Sequence, residues 1–202
     1  MTHMARRFVH FGGGPDPRHN AFIIGQSPTG NDLYIAFDTP PSRYDGRVVT
    51  QVHRAVNANA NTSGGGEVFA ELRWFGTALG TFTSRTRQGE PHMGQLADIT
   101  NRPEGTRAFL STGDDGVQAN FAWIRVLDPT GTATGTRFSY DLVHEPSHVP
   151  IGYYRYHGPQ VSATGVTTFA TFEYNFGSDG LLVDAMLALC INRFLDGMNR
   201  RI

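Results

Sequence analysis

Lysine is absent from this sequence of 202 residues, and its 17 basic side chains are all arginine. Charged residues of both signs make up only 17% of the chain, against about a quarter in ordinary soluble domains. The formal net charge is −1, so the chain as a whole does not attract nucleic acid or an anionic lipid surface. Any binding of a polyanion therefore requires a local face that carries arginine.

Cysteine and long apolar runs are nearly absent too. Cys190 is the single cysteine, which excludes an intramolecular disulfide and any site built from several thiolates. No apolar run approaches the roughly 20 residues that a membrane-spanning helix needs, and no apolar signal core follows Arg6 and Arg7. We therefore expect a soluble protein of the cytoplasm with no membrane partner.

Motifs of familiar catalytic chemistry are missing as well. His144 and His148 have the spacing of two ligands on one helix face, but Pro146 and Pro150 prevent that helix. The glycine run at residues 12–14 is followed by Pro-Asp-Pro rather than by a helix, so it is not a phosphate-binding loop. We predict no catalytic residue, no metal site and no cofactor.

Alternating polar and apolar residues dominate the chain up to residue 176. The alternating runs are short and are bounded by Gly, Pro, Asn and Asp, which is typical of strands joined by tight turns. One segment, residues 67–80, also fits a short pair of helices. The predicted strands are residues 7–11, 21–25, 32–37, 47–56, 67–75, 81–86, 106–112, 118–127, 137–144, 151–157 and 166–176.

The C-terminal segment has the period of a helix instead. Ser178 or Asp179 can cap its first turn. Between Leu181 and Ile191 only Asp184 interrupts the apolar residues, so this part of the helix needs cover on more than one side. Farther along the helix, four polar residues predict a solvated side: Asn192, Arg193, Asp196 and Asn199.

These patterns predict a mainly β (α+β) fold: an antiparallel sheet with an N-terminal hairpin and a long C-terminal helix packed on one face. Phe138, Tyr140 and Leu142 share one face of their strand, and polar residues share the other. We expect a single domain over residues 1–202. Residues 1–46 form the hairpin region, and residues 47–202 form the sheet with the helix.

The order of the last elements resembles a known family. Residues 118–127, a Thr/Gly turn, residues 137–145, a loop, residues 166–176 and then the helix follow one another as in the coat proteins of small single-stranded RNA phages. In that family three long antiparallel strands lead into C-terminal helices, which clasp a partner subunit. Residues 7–11 and 21–24 look like the family's N-terminal hairpin.

The resemblance implies two kinds of site. RNA would bind on the polar face of the sheet, opposite the helix, and a second subunit would cover the helix. The residues implied for RNA are Asn120, Arg125, Arg137, Ser139, Thr167, Thr171 and Asn175. The residues implied for the subunit interface are Leu182, Met186, Leu187, Ile191, Phe194 and Leu195.

A second resemblance stays open beside the first. Gly105-Thr106-Arg107, the Asp-Asp-Gly turn at residues 114–116 and a strand leading into a terminal helix are similar to the helix-grip domains of the polyketide-cyclase and birch-pollen-allergen type. That resemblance implies a cavity between sheet and helix that binds an apolar small molecule. A phage-tail or lectin-like β module is a third alternative.

The sparse charge and the abundance of Thr, Gly, Ala and Asn favour a surface that is buried against copies of itself. The leading hypothesis is therefore a self-assembling coat protein, a structural protein of a virion or host cytoplasm. Its partners would be copies of itself and single-stranded RNA. The alternative is a helix-grip small-molecule-binding protein or cyclase.

Overall fold

The computed structural model describes residues 6–14, 16–40, 48–56, 67–76, 78–85, 87–126 and 138–198. Within these residues, eleven strands and one α-helix form the framework. The strands are β1 (Arg7–Gly12), β2 (Ala21–Gln26), β3 (Asp32–Asp38), β4 (Val48–Val56), β5 (Glu67–Phe75), β6 (Ala78–Ser84), β7 (Thr106–Thr112), β8 (Gln118–Val126), β9 (Ser139–His144), β10 (Val149–Val161) and β11 (Thr167–Tyr174), and the helix is α1 (Asp179–Met198).

All eleven strands belong to one antiparallel sheet, which confirms the predicted fold class, its N-terminal hairpin and its C-terminal helix. The order across the sheet is β6-β5-β4-β3-β2-β1-β11-β10-β9-β8-β7. Alternation of buried and exposed residues within the strands explains why the sequence reveals them. The ambiguous segment after residue 66 is strand β5 and not a pair of helices.

A short segment between the two edge strands links them to each other. The Phe82 amide of β6 donates to the Pro91 carbonyl at 2.9 Å, and Asp98 and Ala108 of β7 exchange both backbone hydrogen bonds, at 2.9 and 2.8 Å. Between these pairings lies a 3₁₀ helix, Met93–Leu96, whose Met93 and Leu96 side chains are fully buried. The sheet therefore curls so far that its edges meet across this segment.

Helix α1 lies inside the curled sheet. The Trp123 indole of β8 donates to the Ala185 carbonyl at 3.0 Å, and the rings of Trp74 in β5 and Phe194 lie 4.6 Å apart. The Cys190 thiol lies 3.5 Å from the Pro17 carbonyl in the β1–β2 connection. Because these contacts come from different sides, every residue from Leu181 to Phe194 is buried.

Within one chain, the sheet already covers most of the residues that the resemblance implies for a subunit interface. Among the residues proposed for that interface, Leu195 is partly exposed and the others are buried within a single chain. The physical reason is the curvature of the sheet, which lets one chain cover the whole apolar perimeter of α1. The covered residues are Leu182, Met186, Leu187, Ile191 and Phe194.

The start of α1 also settles an alternative that the sequence leaves open. The Ser178 hydroxyl accepts a hydrogen bond from the Leu181 amide at 3.1 Å, and the Ser178 carbonyl accepts one from the Leu182 amide. Ser178 is therefore the capping residue, and Asp179 is the first residue of the helix. Arg200 and Arg201, whose positive charges would favour the C-terminal end of such a helix, lie outside the described residues.

Shortening a buried side chain of α1 tests the enclosure. Leu187→Ala leaves a cavity in the core, so we expect the free energy of unfolding to fall by about 2–5 kcal/mol in a urea titration. The matched control is Leu110→Ala in β7, where the side chain is 43% exposed and we expect a change within about 0.5 kcal/mol. Equal losses in the two variants would contradict the burial described here.

Stability at high pH tests the burial of Cys190. Burial raises the pKa of its thiol from the ordinary 9.0 to about 12, so the folded protein keeps a proton that the unfolded chain releases. Between pH 9 and 12 this difference lowers the free energy of unfolding by about 1.4 kcal/mol per pH unit. In Cys190→Ala we expect urea titrations to show a slope shallower by that amount; an unchanged slope would show that the thiol ionises in the folded state.

Candidate functional site

Four residues predicted to bind RNA lie on the outer face of the sheet, opposite α1. In β9 and β11 the inward positions are buried residues such as Tyr140 and Phe172, and the predicted residues alternate with them. Their side chains are exposed or half-buried. The four are Asn120, Ser139, Thr171 and Asn175.

Three other residues do not join that face. Arg125 lies on the inner face, because it is in register with inward-facing Tyr140 and binds Asp196 of α1 at 3.4 Å. Thr167 leaves the alternation of β11: Phe11 pairs with Ala170 and Gly12 with Thr168, so Phe169 is an extra residue that shifts it. Arg137 lies outside the described residues.

The charges on the outer face are paired with each other. Arg155 of β10 forms an ion pair with Asp141 of β9, and Arg6 forms one with Glu173 of β11 at 2.8 Å. Each of these arginines is therefore neutralised locally and adds little attraction for phosphate. The outer face that the structure describes offers polar groups but no concentration of positive charge.

A denser set of polar side chains surrounds the last turns of α1, inside the sheet. We call it the Asp196 cluster. Its members come from four neighbouring strands and from the helix: Arg107, Arg125, Tyr140, Tyr154, Asn192, Arg193 and Asp196.

Strand register places the sheet members of the Asp196 cluster. Arg125 of β8 pairs with Tyr140 of β9, and Tyr140 pairs with Tyr154 of β10. Since paired residues of antiparallel strands point to the same side, these three side chains form a row across the inner face. Arg107 of β7 pairs with Trp123, the next inward position along β8 from Arg125, and its guanidinium reaches the same helix carboxylate.

The carboxylate of Asp196 is the centre of the cluster. It accepts hydrogen bonds from the Tyr140 hydroxyl at 2.6 Å and from the Arg107 guanidinium at 2.7 Å, and Arg125 lies at 3.4 Å. Asp196 itself is only 1% exposed. An ionised carboxylate is stable at such depth because cationic and hydroxyl donors replace its water.

Arg193 is a second buried charge, but it has no carboxylate partner among the described residues. Its guanidinium carbon lies 5.8 Å from the centre of the Tyr154 ring and 5.0 Å from that of Phe169. Aromatic faces attract a cation, yet they accept no ordinary hydrogen bond from its N–H groups. The residue is only 4% exposed, so water does not neutralise the charge from outside.

Several polar atoms of the cluster are buried without a hydrogen-bond partner. They belong to two arginines, one tyrosine and both ends of an asparagine amide. The atoms are Arg107 Nη1, Tyr154 Oη, Asn192 Nδ2, Asn192 Oδ1 and Arg193 Nε. Buried polar atoms are nearly always paired with protein groups or ordered water, and five of the seven described atoms without a protein partner belong to this cluster.

The two tyrosine hydroxyls of the cluster stay protonated at ordinary pH. Burial raises the pKa of Tyr140 well above 10.0, and the neighbouring negative charge of Asp196 adds to the rise. Burial also raises the pKa of Tyr154. Both residues are therefore neutral groups that can donate a hydrogen bond.

Asn192, Arg193 and Asp196 do not form the solvated side of the helix that their sequence positions predict, and Asn199, the fourth residue of that prediction, lies outside the described residues. All three are buried, at 0%, 4% and 1% exposure. The sequence signal was present, because polar residues followed an apolar segment that already needed cover on several sides. What the pattern could not show was that the sheet supplies arginine and tyrosine to meet them.

A cleft of about 380 Å³ near the other end of α1 is a weaker candidate. Its charged residues have both signs: Arg54 reaches Asp179 at 3.3 Å, and Arg85 pairs with Glu67. One buried atom of Arg54 and one of Asp179 also have no hydrogen-bond partner in the protein, which is fewer than in the Asp196 cluster. The described residues hold no group of three or more side chains suited to a metal ion. No helix within the described ranges is long and apolar enough to cross a membrane.

Comparison of the chain with protein-family models, with curated proteins and with solved structures gives no match.

Removing the central carboxylate tests the electrostatics of the cluster. Asp196→Asn leaves Arg107 and Arg125 without their shared buried partner, so we expect the free energy of unfolding to fall by about 3–5 kcal/mol. Tyr140→Phe removes one hydrogen bond to a charge and should cost about 1.5–3 kcal/mol. The measurement is a urea titration of each variant.

Glu104→Gln provides the control for this pair of variants. Glu104 also lies near Arg125, at 3.3 Å, but its side chain is 95% exposed. We expect its replacement to leave the free energy of unfolding nearly unchanged. A loss as large as that of Asp196→Asn would contradict the description of Asp196 as the buried centre.

Proposed function

We propose that this protein binds a small polar molecule at the Asp196 cluster. The observation that carries the proposal is the group of buried side-chain atoms there that have no hydrogen-bond partner. A bound molecule would supply those partners. This is the binding-protein alternative of the sequence analysis, with a polar site in place of an apolar cavity.

Buried polar atoms without a hydrogen-bond partner lower the free energy of unfolding of a protein. Each buried donor or acceptor left unpaired costs about 1–3 kcal/mol, and a whole domain is stable by only about 5–15 kcal/mol. Apolar side chains would fill the same positions in α1 without that cost. Polar groups at Tyr154, Asn192 and Arg193 therefore favour a role that apolar residues cannot fulfil.

Binding without catalysis is the activity that these groups support. Both tyrosines have raised pKa values, so they stay protonated and are weak acids, and the Asp196 carboxylate already accepts hydrogen bonds from three residues of the cluster. Such groups hold and orient a molecule rather than move its protons.

The coat-protein interpretation stays a prediction. That interpretation depends on a helix that one chain leaves uncovered and on a sheet face suited to RNA. A single chain covers α1, and the arginines described on the outer face are paired with carboxylates. RNA binding and self-assembly therefore have no support from the described residues.

Asn192→Leu tests the proposed function. The substitution replaces both unpartnered amide atoms by apolar ones of similar volume. In native mass spectrometry of the purified proteins, we expect the wild type to carry a small noncovalent adduct and the variant to carry none. In ligand-free protein the variant should unfold at an equal or higher urea concentration, since no buried amide is left unpaired.

Asn120→Leu is the matched control, since Asn120 is exposed on the outer face of β8. We expect this variant to keep the adduct of the wild type. A wild type without any adduct, or an adduct that survives in Asn192→Leu, would contradict the proposed site.

A further inference from the structure

The charges of the Asp196 cluster do not balance. Arg107 and Arg125 approach the Asp196 carboxylate, Arg193 lies over the Tyr154 ring, and Asp196 is the one buried carboxylate of the cluster among the described residues. Glu104 also approaches Arg125, but from a position that is almost fully exposed, where water weakens the attraction. The buried part of the cluster therefore has an excess of positive charge.

The unpartnered atoms show a matching excess of donors. Arg107 Nη1, Arg193 Nε and Asn192 Nδ2 can only donate hydrogen bonds. Tyr154 Oη can donate or accept, and Asn192 Oδ1 is the single atom that can only accept. A molecule that satisfies this set must present mainly acceptor oxygens.

The C-terminal end of α1 disfavours a bound anion, but more weakly than the arginines favour it. The C-terminal turns of a helix carry about half a negative charge, which favours the arginines and disfavours a bound anion. The guanidinium groups outweigh it, because the three of them carry full charges and only one buried carboxylate opposes them. A net attraction for negative charge remains.

Burial limits the size of the molecule. Arg125 has 22% of its side chain exposed and Arg107 has 10%, whereas Asp196 has none. The arginines of β7 and β8 therefore mark the side of the cluster nearest to solvent. Asn192 and Arg193 are only 0% and 4% exposed, so a ligand at the donors must be small enough to fit among buried side chains.

Resting on the proposed binding function, we infer that the ligand is a small oxyanion, whose carboxylate or phosphate oxygens accept hydrogen bonds from Arg107, Asn192 and Arg193. The oxygens would replace water around the unbalanced guanidinium groups. Charge-assisted hydrogen bonds of this kind are the stronger ones in proteins.

Binding measurements with defined small molecules test the inference. Isothermal titration in a buffer free of phosphate and carboxylate compares acetate, lactate and phosphate with the neutral acetamide. We expect at least one anion to bind about tenfold to a hundredfold more tightly than acetamide. Acetate or lactate as the tighter ligand identifies a carboxylate, and phosphate as the tighter ligand identifies a phosphate. Acetamide binding as tightly as the anions, or no binding of any anion, would overturn the inference.

Two substitutions at Arg193 test the residue itself. Arg193→Met keeps much of the side-chain length without the charge, and we expect anion affinity to fall about tenfold or more. Arg193→Lys keeps the charge and provides a folded comparison, with a smaller loss. Arg73→Met, on the outer face of β5, is the matched control and should bind like the wild type. Unchanged anion affinity in both Arg193 variants would overturn the assignment.

The two proposals fail in different ways. If a neutral molecule is the adduct lost in Asn192→Leu, the binding function stands and the oxyanion is wrong. If the wild type carries no adduct and none of the four compounds binds, both are wrong.

Discussion

The enclosure of α1 by the sheet of its own chain is the constraint on which the rest of the structure depends. The sheet curls until the segment with the 3₁₀ helix joins β6 to β7, so the helix has no side left for solvent between Leu181 and Phe194. Each polar residue of the helix must then find its partners inside the protein. The positions of the buried charges follow from this requirement.

Two buried carboxylates of α1 find partners inside the protein in different ways. Asp184 accepts a hydrogen bond from the Ser111 hydroxyl at 2.8 Å and forms an ion pair with the Arg87 guanidinium at 3.1 Å. One negative charge therefore meets one positive charge beside β7. Asp196 is surrounded by more positive charge than it carries, and atoms around it lack partners. The first arrangement stabilises the fold, and the second supports our proposal of a binding site. The difference lies in the balance of charges, since both carboxylates are buried.

Sequence patterns predicted the framework well, because strands and helix repeat with periods that neighbouring residues reveal. They could not predict the curvature of the sheet, which depends on how strands far apart in the chain meet. For that reason Leu187 was assigned to a subunit interface and Asp196 to solvent, although both are buried in one chain. The extra residue Phe169 similarly escaped prediction, because a bulge becomes visible only when β1 and β11 are paired. The Asp196 cluster combines residues of four strands and one helix, and no spacing along the chain joins them.

The dependence of unfolding on protein concentration tests the enclosure most directly. If one chain covers α1, the urea concentration at the midpoint of unfolding will be the same over about a hundredfold range of protein concentration. If a second copy is needed to cover the helix, the midpoint will rise with protein concentration, because association then contributes to stability. A constant midpoint is the result that this account predicts, and a rising midpoint would contradict it.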